Sequence, residues 1–80
     1  MDDPHLVLVT SAGCHLCTRA RTVLGSLSLE AREVDVESEE AGLLASRGVP
    51  LAFLPVLYDG ERILAYGRFS EKRLRRDLGL

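Results

Sequence analysis

The chain has 80 residues, 46% of them hydrophobic and 28% charged, and its net charge is −2. A chain of this length supports one domain with a modest core, expected over residues 1–80, and its hydrophobic content excludes an intrinsically disordered segment. The charge excludes charge-driven binding to nucleic acid or membranes, and no run approaches the roughly 18 apolar residues of a membrane span, so we expect a cytoplasmic monomer.

The first half of the chain predicts two strand–helix pairs. The run Leu6–Thr10 is short and rich in valine and leucine, which indicates a strand buried at the centre of a sheet. Apolar residues recur at three- and four-residue spacing over 14–27 and indicate a helix. Valines that alternate with charged residues over 31–36 indicate a strand with one face buried. A second helix is expected over 38–48, with a capping serine first and a glycine last.

The second half of the chain predicts a β-hairpin and a last helix. Two apolar runs, 54–58 and 62–66, flank the turn signal Asp59-Gly60. The last helix begins at Ser70 and carries two leucines four residues apart. The predicted order is therefore βαβαββα, an α/β fold with a parallel first pair of strands, an antiparallel hairpin and helices flanking a mixed four-stranded sheet.

The stretch Ser11–Cys17, reading SAGCHLC, holds the only two cysteines of the chain and opens the first predicted helix. A disulfide across so short a loop removes little entropy from the unfolded chain, so a purely structural disulfide is disfavoured. A helix start favours the thiolate form of Cys14, and Cys17 lies about one turn further on. We predict that Cys14 attacks a disulfide and that Cys17 resolves the intermediate. His15 is either an exposed residue or a modulating positive charge.

These features resemble the glutaredoxin-like members of the thioredoxin superfamily, over nearly the whole chain. The resemblance rests on the strand–turn–CHLC–helix start, the stretch LPVLYDG and the final helix. It implies a glutaredoxin-size thioredoxin-like fold and a thiol–disulfide oxidoreductase that reduces disulfide-containing proteins or glutathione mixed disulfides, with no bound cofactor. It also implies a cis bond between Leu54 and Pro55 and a substrate groove at these two residues. Pro50 is the weaker candidate for a cis bond.

The chain departs from the common glutaredoxin pattern at two places. Between the cysteines it has His15 and Leu16, where common glutaredoxins have a proline and an aromatic residue. After the last strand it has Gly67 and Arg68 instead of two glycines. Gly67 and Arg68 are the candidate contacts for glutathione, and an arginine can bind a carboxylate through its planar fork. Whether glutathione is a cosubstrate stays open from the sequence.

Other interpretations of the cysteine pair and of the last helix stay open. The two thiols could hold half of a zinc site or bind copper(I), although His5 and His15 have no zinc-finger spacing and copper chaperones have the element order βαββαβ. An iron–sulfur carrier would use one cysteine per monomer together with glutathione. The basic stretch Lys72–Arg76 could serve as an interaction module, but a solvated helix face with cations near its C-terminus is favoured.

Overall fold

Seven secondary-structure elements follow one another in the predicted order in the computed structural model, which describes residues 6–80. Each element lies where the hydrophobic pattern places it, and only the end positions differ by a few residues. His5, considered above as a metal ligand, lies outside the described residues. The elements are β1 (Val7–Thr10), α1 (His15–Ser26), β2 (Arg32–Asp35), α2 (Glu39–Ser46), β3 (Val56–Tyr58), β4 (Ile63–Tyr66) and α3 (Glu71–Asp77).

The four strands form one mixed sheet in the order β2-β1-β3-β4. Strand β1 pairs in parallel with β2, because helix α1 carries the chain back across the sheet between them. It pairs antiparallel with β3, and β3 pairs antiparallel with β4. The prediction of a central first strand in a mixed sheet is therefore confirmed. With the cysteine pair at the start of α1, this arrangement is thioredoxin-like.

Alternation along the strands divides the core between the two faces of the sheet. Leu8 and Leu57 point to the face covered by α1 and α3, whereas Val9 and Val56 point to the face covered by α2. Complete burial of a leucine or valine side chain contributes about 1.5–3 kcal/mol. The α1 cluster consists of Leu6, Leu8, Ala20, Val23, Leu24, Leu27, Leu57, Phe69 and Leu74. The α2 cluster consists of Val9, Val34, Ala41, Leu44, Val49, Val56 and Tyr58.

Local side-chain chemistry sets the ends of the elements. The Ser38 hydroxyl accepts a hydrogen bond from the Ala41 N–H at 3.1 Å and caps α2, as predicted. Gly48 follows the end of α2 with a φ of +95°, a conformation that suits glycine. Strand β3 begins at Val56 rather than at Leu54, since Pro55 has no N–H to donate to the sheet.

The turn between β3 and β4 is built around Asp59. Its carboxylate accepts hydrogen bonds from the N–H groups of Glu61 at 2.8 Å and Arg62 at 2.7 Å. These backbone donors, Arg62 first, lower the pKa of Asp59. Gly60 adopts a φ of +97°, so the Asp-Gly signal gives the hairpin that the sequence predicts. Within residues 6–80, no helix has the length and apolar character needed to cross a membrane.

Candidate functional site

The sheet topology brings three chain segments to one end of the sheet. Strand β1 ends there at Thr10 and leads directly into the loop that carries Cys14. Val56 at the start of β3 lies beside Val9 and pairs on its other side with Tyr66 at the end of β4. Pro55 and Gly67 therefore lie at the same end of the sheet as the loop before α1. The site residues predicted from distant parts of the sequence share this end.

Cys14 is the N-cap of helix α1 and has an extended backbone, with φ −87° and ψ 112°. Its sulfur accepts a hydrogen bond from the backbone N–H of Cys17 at 3.1 Å. The sulfur thus takes the position that a serine or aspartate oxygen takes in an ordinary cap. A backbone N–H and the positive end of the helix dipole both stabilise negative charge on this atom. The side chain of Cys14 is half-buried and thus partly exposed to solvent.

Cys17 has the opposite surroundings, one turn into the helix. Its side chain is fully buried, with 0% of its surface exposed. Burial is the main cause that raises the pKa of Cys17, and its interaction with the Cys14 side chain raises the pKa further. A backbone hydrogen bond from Ser11 and the positive charge of Arg21 act in the opposite direction. Both cysteines are free thiols in the structure.

The positive charge that lowers the pKa of Cys17 belongs to Arg21, which forms an ion pair at the side of α1. The Arg21 guanidinium donates to both carboxylate oxygens of Glu33 on β2, at 2.8 and 3.0 Å. The hydrogen bond from Arg21 is the main cause that lowers the pKa of Glu33, and the Thr10 hydroxyl contributes in the same direction. No sequence pattern predicts this pair, because the two residues lie 12 positions apart and meet only through the packing of α1 against the sheet.

Pro55 follows a cis peptide bond from Leu54, as the resemblance implies, and this is the one cis bond among residues 6–80. The N–H of Gly67 donates to the Pro55 carbonyl at 2.9 Å and to the Phe53 carbonyl at 3.1 Å. Gly67 has a φ of +70°, a backbone conformation that favours glycine. The side chain of Leu54 is half-buried against the α2 cluster. The loop before β3 is thus joined to the end of β4.

Several exposed side chains surround this end of the sheet. His15 and Leu16 between the cysteines are both exposed, and so is Arg68 after β4. The rings of Phe53 and Tyr66 lie 5.9 Å apart in a tilted arrangement, although each side chain is more than half exposed. No sequence pattern predicted this aromatic pair, because the two residues are brought together only by the β3–β4 pairing.

A closed zinc site requires more side chains than the cysteine pair supplies. In the part of the chain that the structure describes, no group of three or more His, Cys, Asp or Glu side chains could hold a metal ion. A closed zinc site takes four ligands. Cys14 and Cys17 could therefore hold at most half of one, with the remaining ligands supplied from outside residues 6–80.

A scan against models of known protein families finds none that matches this chain, and a search of curated proteins finds no match either. The likeness to thioredoxin-like proteins therefore rests on the element order, the mixed sheet and the position of the cysteine pair. Because unrelated functions share common folds, activity has to be argued from the site itself.

Proposed function

We propose that the protein is a glutaredoxin-like thiol–disulfide oxidoreductase that reduces protein disulfides or glutathione mixed disulfides. The observation that carries this proposal is the unequal placement of two thiols one helical turn apart. Cys14 is partly exposed and its sulfur receives a backbone N–H, whereas the Cys17 thiol is buried. An attacking thiol and a protected resolving thiol need these two environments.

In the first step, the Cys14 thiolate attacks one sulfur of a substrate disulfide. A bond forms between the Cys14 sulfur and that substrate sulfur, and the substrate S–S bond breaks. The second substrate sulfur leaves with the electron pair as a thiolate and takes a proton from solvent. The backbone N–H of Cys17, 3.1 Å from the Cys14 sulfur, stabilises the thiolate before this attack.

In the second step, Cys17 loses its proton and attacks the Cys14 sulfur of the mixed disulfide. The Cys14–Cys17 bond forms and the remaining substrate sulfur leaves as a thiolate, so that two electrons have passed from the dithiol to the substrate. Two molecules of a thiol such as glutathione then reduce the Cys14–Cys17 bond, leaving the protein as the dithiol and the reductant as its disulfide. The cycle needs no bound cofactor.

Leu54 and Pro55 form the substrate groove in this proposal. The backbone hydrogen bonds of their loop run through Phe53 and Pro55, and none among residues 6–80 involves Leu54. The backbone of Leu54 is therefore available to pair with an extended substrate chain. His15 is exposed beside Cys14 and, when protonated, adds positive charge near the attacking sulfur.

Gly67 and Arg68 remain the candidate contacts for glutathione, with unequal roles. The N–H of Gly67 is already occupied by the carbonyls of Phe53 and Pro55. Arg68 is exposed and keeps a planar guanidinium that can hold a carboxylate. Glutathione recognition through this segment would thus depend on the arginine side chain.

The proposal is tested by catalysed disulfide reduction with dithiothreitol as the electron donor. The substrates are a protein with an exposed disulfide and the same kind of protein carrying a glutathione mixed disulfide. We expect reduction above the uncatalysed rate for at least one of them, and the comparison shows whether glutathione is part of the substrate. Reduction of both at the uncatalysed rate only would overturn the proposal.

A further inference from the structure

The two edge strands of the sheet differ in how they are protected. Strand β2 carries three exposed charged residues among its four, and charges on an edge strand oppose the addition of another strand. Strand β4 has the sequence ILAY, without a charge or a proline. It is the last strand of the sheet, so one side of its backbone pairs with no other strand within residues 6–80.

A cleft of about 500 Å³ lies between this open edge and helix α3. Leu64, Ala65 and Leu74 are apolar residues of its lining, and Leu64 and Ala65 also pack against the α1 cluster on the face that α3 covers. Arg68 and Arg73 contribute guanidinium groups. The one acidic side chain that lines the cleft, Asp77, lies 3.9 Å from Arg73, a long and exposed contact. No carboxylate pairs with Arg68 in the described part of the chain.

Charge is distributed unevenly along the chain, and the cleft lies on its positive part. Residues 68–77 contain five basic and two acidic side chains, a net charge of +3. The total charge is −2, so the remaining residues carry −5. The basic side chains of the stretch Lys72–Arg76 are all exposed, as the interpretation as a solvated face predicts, and Arg73 in addition lines the cleft.

We propose that the cleft between β4 and α3 binds an extended acidic segment of a partner protein, which adds as a strand to the open edge of β4. The backbone of the segment pairs with the four residues of β4, and its carboxylates contact Arg68 and Arg73. Apolar side chains on the α3-facing side of the segment pack against Leu64 and Ala65.

A partner of opposite charge fits this cleft better than a second copy of the chain. Two copies paired through β4 would bring two arginine-lined clefts together, and like charges across an interface are unfavourable. Neither cysteine lines the cleft. Binding at the cleft therefore does not depend on the proposed redox chemistry and can be measured with no disulfide present.

The test is binding of a fluorescent peptide in which glutamate alternates with valine, measured by anisotropy and by amide NMR shifts of the protein. We expect saturable binding, with the largest shifts in residues 63–66, Arg68 and Arg73. The double variant Arg68→Glu/Arg73→Glu is expected to weaken binding by about tenfold or more. The matched control, Arg75→Glu/Arg76→Glu, makes the same change in charge on side chains that do not line the cleft and is expected to bind nearly as the unaltered protein does.

Several outcomes would overturn the inference. Equal weakening by the two double variants would mean that net charge alone attracts the peptide. Equal binding of a peptide with a central proline would exclude strand addition. Equal binding of a single-stranded oligonucleotide would show an unspecific anion surface, and dimerisation through β4 would identify a second copy as the occupant. The shift map of the unaltered protein decides the location of binding even if a variant fails to fold.

Discussion

The start of helix α1 and its buried face place their cysteines in opposite environments. At the start, the Cys14 sulfur receives the N–H of Cys17 and is partly accessible. On the buried face, Cys17 joins the residues that pack against the sheet, and burial raises its pKa. The comparison shows that one helical turn is enough to give two thiols different surroundings, since a backbone N–H contacts the first sulfur and the core surrounds the second side chain.

Removal of the Cys14 sulfur should have the largest effect. We expect Cys14→Ser to lower the rate of disulfide reduction by about a thousandfold or more, because the attacking nucleophile is lost. Serine is a good N-cap residue, so the helix should keep its start and the circular dichroism spectrum should not change. Full activity in this variant, with loss of activity in Cys17→Ser, would reverse the assigned roles.

Removal of the Cys17 sulfur should stop the reaction after its first step. We expect Cys17→Ser to accumulate a mixed disulfide on Cys14, seen by intact mass as the addition of one substrate thiol. Turnover of a protein disulfide should fall by about tenfold or more, because only external thiol can then release the substrate. Cys17→Ala is the matched variant that avoids a buried hydroxyl. The absence of any adduct in both variants would contradict resolution by Cys17.

The pH dependence of stability tests the burial of Cys17. Its pKa is raised in the folded state, so its contribution to stability is complete below the ordinary thiol value of about 8.5. At higher pH the unfolded chain loses this proton first, and the free energy of unfolding should fall by at most about 1.4 kcal/mol per pH unit.

Urea unfolding of the reduced protein between pH 7 and pH 10 measures this fall. The Cys17→Ala variant serves as the control, because it keeps every other group that titrates in this range. We expect its stability to fall less with pH than that of the unaltered protein. Parallel curves for the two proteins would show that the folded state does not raise the pKa of Cys17.

The smallest expected effect concerns Arg21, whose positive charge counteracts the rise in the pKa of Cys17 that burial causes. Arg21 lowers the pKa of Cys17, so Arg21→Gln should slow the resolving step about two- to threefold at neutral pH and move its pH profile upward. Arg32→Gln is the matched control, because Arg32 forms a similar exposed ion pair with Glu40 away from the cysteines. An equal change of the pH profile in both variants would exclude a specific action of Arg21.

Periodic and local signals in the sequence predicted most of the fold. The Ser38 cap, the Asp59-Gly60 turn and the alternation of Val9 with Leu8 each act within a few residues, so the sequence pattern contains them. The position of Cys14 at the start of α1 was predicted for the same reason. Element ends were less accurate, because the last hydrogen bonds depend on neighbours such as Pro55.

Particular side-chain contacts between distant segments were not predicted. The Arg21–Glu33 pair depends on how α1 packs over β2, and the Phe53–Tyr66 pair depends on the β3–β4 register. Arg73 belongs to a basic stretch that looks like an ordinary solvated helix face, and only its place opposite β4 makes it part of a cleft. No short sequence pattern contains such geometry, since each contact joins residues from different elements.

The most direct test of the central claim is an equilibrium redox titration of the purified protein in thiol–disulfide buffers, with the oxidation of Cys14 and Cys17 followed by mass. We predict one reversible two-electron step that forms the Cys14–Cys17 disulfide at a potential between about −180 and −290 mV, the range of working oxidoreductases. Failure to form a reversible disulfide, or thiols already blocked by a bound metal, would contradict the redox account and favour metal binding by the cysteine pair.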